Sequence, residues 1–237
     1  MAKSSRPDLF VLTLDGMEQS AVDLADPTRL VFDYVRRIGD VIDRLPTGPL
    51  RVVHVGGAAM TLPRYVAATR PRSSQIVLEP DAEVVALVRA EAPLPKRSGI
   101  RVREIDGLTG VAALAPDSAD LLILDAFAGG VVPAELTSLA FFAEVRRVLG
   151  ETGVLVANLT DAAPFPRVRD AVAGLRAVFA EVVIGIEPAT LKARRPGNLL
   201  VVAGPALGEP FGAPAPSSYR IFTGTKVSDS FGGGSAE

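Results

Sequence analysis

The stretch LRVVHVGGAAMTLPRYVAATRPRSSQIVLEP, residues 50–80, decides the fold. It opens on a mostly aliphatic run that ends at Gly56 and Gly57. A helical pattern follows, AMTLPRYVAAT, and then a second aliphatic run, SQIVL, closing on Glu79. Strand, glycine turn, helix, strand is a βαβ unit, and its right-handed crossover makes the two strands parallel neighbours. The alternation continues downstream: DAEVVALVRAEA helix, IRVREIDG strand, LTGVAALA short helix, ADLLILDAF strand, PAELTSLAFFAEVRRVLG helix, TGVLVANLT strand, FPRVRDAVAGLRAVF helix. Strands covered by helices on both faces read as near-continuous apolar runs, as LLIL does at 121–124. The last two strands, EVVIGIEP and GNLLVVAG, have only the loop ATLKARRP between them and read as an antiparallel pair closing the sheet.

Upstream, LFVLTLDGMEQSAVDL reads as a hairpin turning at Asp15-Gly16. DPTRLVFDYVRRIGDVIDRL then reads as a helix, with Asp26 as N-cap and Pro27 as its first residue. The expected organisation is a hairpin segment over 1–25, a Rossmann-like domain over 26–206 with a leading helix at 26–45, and a C-terminal extension over 207–237. The end of that extension, GTKVSDSFGGGSAE, is Gly/Ser-rich and is expected to be largely irregular or disordered. The fold class is α/β: a doubly wound, mostly parallel methyltransferase-type sheet with a terminal antiparallel strand pair, preceded by a small β-hairpin.

Composition narrows the function. Of 237 residues, 48% are hydrophobic, enough for one sizeable core, and the formal net charge is −2. That balance gives no basic field for nucleic acid or an anionic membrane surface. With no cysteine and one histidine, His54, thiolate chemistry, disulfides and histidine metal clusters are excluded. The N-terminus lacks an apolar signal-type run and no segment is long enough to span a bilayer, so a cytoplasmic protein is expected.

In an open α/β sheet, ligands sit outside the carboxyl ends of the strands. Four stations stand there. Gly56 and Gly57 allow close backbone approach to a ligand. Glu79 follows the next strand, where a carboxylate can accept from two ribose hydroxyls. Asp106, in IDG, can accept from an adenine amino group or cap a turn. Asp125 follows four aliphatic residues, so its carboxylate is desolvated and must be paired or aimed into a cleft. This ordered set, without the full G-x-G-x-x-G fingerprint, suits a nucleoside of the S-adenosylmethionine type better than a nicotinamide dinucleotide.

Over residues 10–205 the chain resembles the spermidine synthases, the polyamine aminopropyltransferases. LTLDGMEQS looks like that family's hairpin, with Gln19 a substrate-binding candidate; HVGGAAMTLPR resembles its glycine loop, with Gly56, Gly57 and Arg64 in matching places. LEPD matches Glu79 to the ribose-binding glutamate, IDG matches Asp106 to the acidic residue near adenine, and LDAFAGGVVPAELTSLAFF matches Asp125 to the catalytic base. The departures are Ala59 and Ala128, standing where the family carries amine-binding aspartates, and the absence of the family's tyrosine-glutamine pair after the hairpin. Tyr34 lies further along and is not an obvious replacement, while Asp23 and Asp26 could compensate from the hairpin exit.

The resemblance implies aminopropyl transfer from decarboxylated S-adenosylmethionine to a polyamine or other amine, with no permanently bound cofactor, no metal, and a homodimer. Two alternatives stay open. A methyltransferase would use S-adenosylmethionine itself, its carboxylate accepted by the glycine-loop amides. A non-catalytic homologue would keep the nucleoside set without turnover.

Overall fold

The computed structural model describes residues 8–14, 16–205, 207, 210, 211 and 219–236. Strands β1 (Leu9–Leu14) and β2 (Met17–Asp23) form the expected antiparallel hairpin. Asp15, half of the expected turn, lies outside the described residues.

The leading helix starts later than its caps suggest. Helix α1 spans Asp33–Arg44. Asp26 caps only a turn, accepting from the backbone N–H of Thr28 at 3.0 Å and from its hydroxyl. Leu30 then bridges back to Val22 of the hairpin, which keeps the chain extended to Phe32. Pairing with β2 thus overrides the Asp-Pro helix signal. At the other end of α1, the buried Arg70 guanidinium donates to the carbonyls of Ile42, Asp43, Leu45 and Pro46, satisfying the orphan acceptors of the helix terminus.

The alternating units follow in order: β3 (Arg51–Val55), α2 (Thr61–Thr69), β4 (Ser74–Leu78), α3 (Ala82–Glu91), β5 (Ile100–Arg103), α4 (Gly107–Ala112) and β6 (Leu121–Leu124). A single 3-10 turn, Ala134–Thr137, precedes α5 (Leu139–Leu149), and Ser138 caps that helix by accepting from the Phe141 N–H. Then come β7 (Val154–Asp161), α6 (Pro166–Val178), β8 (Glu181–Ile186), the short α7 (Pro188–Leu191) and β9 (Gly197–Gly204). The chain ends with β10 (Arg220–Phe222) and α8 (Thr225–Phe231).

The main sheet runs β10-β8-β9-β7-β6-β3-β4-β5. Strands β3 to β7 pair in parallel, and β9 inserts antiparallel between β7 and β8. Alternate residues of the central strands feed two cores. Val53, Val55, Leu122 and Leu124 pack with Phe141, Phe142 and Val145 of α5 and Val168 and Val172 of α6. Val52, Leu121 and Ile123 pack with Ile38 and Ile42 of α1 and Leu62 and Val66 of α2. A third cluster, built on Leu12, Val22, Met60, Val77 and Val84, seats the hairpin against the α2–α3 end.

The C-terminal extension departs from the sequence reading. Its described end is ordered: β10 extends the sheet beside β8, and α8 buries Val227 and Phe231. Phe231 stands edge-on to Phe222 and tilted against Phe165. Two apolar residues one helical turn apart, Val227 and Phe231, are the signal that the Gly/Ser-rich composition masked. No helix among the described residues is long and apolar enough to cross a membrane.

Candidate functional site: an acidic cleft at the strand ends

A cleft of about 340 Å³ opens where the carboxyl ends of β3, β4, β5 and β6 meet the hairpin, α1 and the turn before α5. Gly56, Gly57, Glu79, Asp106, Asp125 and Gln19 all line it, so the chain brings these six residues, singled out in the sequence, to one cavity.

The glycine loop is shaped by contact. Gly56 has φ +92°, and a Cβ there would stand 2.3 Å from the Asp125 carbonyl oxygen. Only glycine fits that backbone and that approach. The two strand ends are also pinned by the Asp125 N–H donating to the Val55 carbonyl at 2.9 Å.

Glu79 closes the other side of this loop. One oxygen accepts from the N–H groups of Gly57 and Ala58 at 2.9 and 3.1 Å, and the other accepts from the Asp81 N–H at 3.1 Å. The loop amides therefore already face a carboxylate. Asp106 both lines the cleft and caps α4, accepting from the Thr109 N–H at 2.8 Å. That backbone bond holds its carboxyl below the usual carboxylate range. The turn reading and the cleft reading of Asp106 hold together.

Asp125 sits half-buried between two donors. The Asn158 amide donates to one oxygen at 2.9 Å and the Tyr34 hydroxyl reaches the other at 3.5 Å. Burial pushes the Asp125 carboxyl up to about 6, against the opposing pull of both hydrogen bonds. The Tyr34 phenol is pushed well above its ordinary value by burial and by the neighbouring carboxylate, so it stays protonated and can donate. Tyr34, passed over in the sequence, thus belongs to this end of the cleft because α1 starts at residue 33 and carries it there. Asn158 also escaped the sequence reading. Its signal was a lone amide in the aliphatic run VLVANLTD, since a polar side chain in a buried strand needs a partner.

His54 borders the cleft as a neutral group. Gln75 donates its amide to the Pro63 carbonyl at 3.0 Å, so its oxygen faces His54 Nε2 at 2.9 Å. That arrangement puts the ring proton on Nε2 and leaves Nδ1 as an acceptor. Burial pushes the His54 pKa down to about 4.

Several residues singled out in the sequence lie off the cleft wall. Ala59 is not the loop position bordering the cleft: it is fully buried beside Leu12, Val22 and Met60, and Ala58 lines the cavity instead. Arg64 faces away, tying the loop carbonyl of Ala59 to the end of α3 through the carbonyls of Ala92 and Pro93. Asp23 and Asp26 do not reach the cleft. Asp23 accepts from the backbone of Ala25 and Asp26 and pairs with Arg29, and Asp26 is held by Thr28. Ala128 does border the cavity.

The hairpin closes over the α2 end. Thr61 donates its hydroxyl to the Ala21 carbonyl at 3.2 Å, so Ser20 is the donor in the 2.7 Å bond between the two hydroxyls. Ser20 lines the cleft beside Gln19.

No family model matches the chain. Among curated proteins it is similar to the polyamine aminopropyltransferase of Chromobacterium violaceum, 28% identical over 141 residues, which is 59% of this chain and 53% of that protein. The chain spans about half the length of the curated relatives it matches. Among solved structures it is similar to a probable spermidine synthase from Corynebacterium glutamicum, with TM-score 0.89 and 28% identity, covering 100% of this chain and 91% of that one. The fold alone is shared with human methyltransferase-like protein 13, with TM-score 0.59 and 18% identity over 77% of this chain and 86% of that one. By sequence and by fold together, the chain is similar to the spermidine synthases.

Proposed function

We propose that the chain transfers an aminopropyl group from decarboxylated S-adenosylmethionine to an amine. The observation that carries this reading is the charge of the cleft. Five carboxylates line it, Glu79, Asp81, Asp106, Asp125 and Glu135, and no lysine or arginine does among the described residues. Such a cavity favours a sulfonium with an ammonium tail and disfavours a ligand bearing a carboxylate. The loop amides, which could otherwise receive the carboxylate of ordinary S-adenosylmethionine, are taken by Glu79. That counts against the methyltransferase reading.

In this mechanism Glu79 accepts from the ribose hydroxyls and Asp106 binds near the adenine. The propyl carbon next to sulfur lies by Asp125. The acceptor amine arrives as an ammonium, because its pKa lies near 10 like that of lysine. Asp125 receives its proton. The freed nitrogen lone pair attacks the carbon beside the sulfonium, the carbon–sulfur bond breaks, and its electron pair neutralises the sulfur. The products are the aminopropylated amine and methylthioadenosine. Tyr34 and Asn158 hold the Asp125 carboxylate in place. A base near 6 is ionised at neutral pH and still basic enough to share the proton in the transition state.

The test is methylthioadenosine release from decarboxylated S-adenosylmethionine by the purified chain, with and without a panel of amines. Amine-dependent release is the expected result. No release with any amine, or methyl transfer from S-adenosylmethionine, would overturn the proposal.

A further inference from the structure

His54 has one ring nitrogen that the fold uses and one that it does not. Nε2 is paired with Gln75 at 2.9 Å, while no donor among the described residues meets Nδ1. The residue is 1% exposed and lines the cleft. An acceptor buried this deeply calls for a donor.

The sheet carries His54 to the reacting end of the cleft. His54 and Ile123 are register partners across β3 and β6, and Asp125 lies two residues past Ile123. Side chains two apart on a strand share a face. Val52 and Ile123 pack together under α1 and α2, so His54 and Asp125 stand on that same side of the sheet. The ladder holds through Asp125, whose N–H donates to the Val55 carbonyl. Strands about 4.8 Å apart, rising about 3.3 Å per residue, set the Cα atoms of His54 and Asp125 about 8 Å apart. A nitrogen about 2.9 Å from an acceptor on each side bridges up to about 6 Å of such a gap.

From this we infer that His54 binds the acceptor amine: its Nδ1 accepts one N–H of the nitrogen that attacks, beside Asp125. The inference rests on the aminopropyl-transfer reading and adds a substrate contact to it. Asp125 still takes the proton. A neutral primary amine then has two N–H groups and one lone pair. Fixing an N–H on Nδ1 limits how far the lone pair can turn from the carbon beside the sulfonium. Burial holds the ring neutral, with a pKa down at about 4, so it offers a lone pair to the incoming ammonium without repelling it.

Two substitutions separate the ring nitrogens. His54→Gln carries its amide to the Nε2 position and can keep the Gln75 bond. His54→Asn carries its amide to the Nδ1 position and gives up that bond. Turnover is read with decarboxylated S-adenosylmethionine and a panel of primary amines headed by a four-carbon diamine. The glutamine variant is expected to lose about tenfold in kcat/KM for the amine, asparagine to recover most of that loss, and KM for decarboxylated S-adenosylmethionine to stay unchanged in both. A glutamine variant as active as the unmodified chain, or more active than the asparagine variant, would overturn the inference. A second measurement needs no variant. His54 is the one histidine of the chain, so isotope-labelled histidine gives a single ring in nitrogen NMR. Its Nδ1 resonance is expected to move upfield when the fastest amine of the panel is added with methylthioadenosine, and to stay in place with methylthioadenosine alone. No movement with the amine, or the same movement without it, would overturn the inference and leave aminopropyl transfer standing. No methylthioadenosine release with any amine would remove both.

Discussion

The residue scale turns on Asp125 and His54, two buried titratable groups shifted in opposite directions. A carboxyl raised from 3.8 to about 6 keeps its proton in the folded chain after the unfolded chain has lost it. Its contribution to stability is therefore unfavourable above pH 6, shrinks as pH falls from 6 to 4, and is absent below both values. Asp125→Asn removes that cost while keeping the Asn158 hydrogen bond. We expect it to abolish turnover and to stabilise the chain by roughly 1–3 kcal/mol at pH 8, the gain fading near pH 4; denaturant titrations at the two pH values check it. For the active chain, kcat/KM should rise with pH through about 6 and then level, because only the ionised carboxylate accepts a proton. Asn158→Ala removes a donor to that carboxylate and should move the rising limb to higher pH. His54 works the other way. Its folded value of about 4 lies below the ordinary 6.5, so its contribution is present above pH 6.5 and is lost as pH falls toward 4. His54→Gln should flatten the acid limb of stability in that window by about 3 kcal/mol. In the sequence, Asp125 was legible because four aliphatic residues run into it. Its partners were not, since Tyr34 and Asn158 lie 91 and 33 residues away and meet it only through the sheet order.

Among the elements, the parallel strands were legible because burial on both faces leaves continuous apolar runs. The glycine loop was legible because a strand must end before a helix can start. What failed were the helix entry at Asp26 and the tail. In both, a tertiary contact overrode local composition: the Leu30–Val22 bridge delays α1, and the Val227–Phe231 stripe orders α8. The tail helix carries real packing, so Phe231→Ala should cost about 3–5 kcal/mol, read as a shift in the denaturation midpoint. A disordered tail would show no shift. Ala59 lies off the cleft for a reason equally hidden in the sequence. The loop residues Ala58 and Met60 have positive φ, at 43° and 62°, which turns Ala58 to the cleft and Ala59 into the core. Neither is a glycine, so the sequence carried no mark of that turn.

For the whole molecule, the net charge of −2 says little about ligand class, and what matters is where the carboxylates lie. The topology delivers strand ends in the order β5, β4, β3, β6, and so converts four stations scattered over some seventy residues into one acidic cleft. The same placement argues for a cationic co-substrate and against a carboxylate-bearing one. Calorimetric titration of the purified chain with decarboxylated S-adenosylmethionine, and in parallel with S-adenosylmethionine, tests that claim most directly. The account expects the decarboxylated form to bind at least about tenfold more tightly, a difference of about 1.4 kcal/mol. Tighter binding of S-adenosylmethionine, or no binding of either, would contradict it.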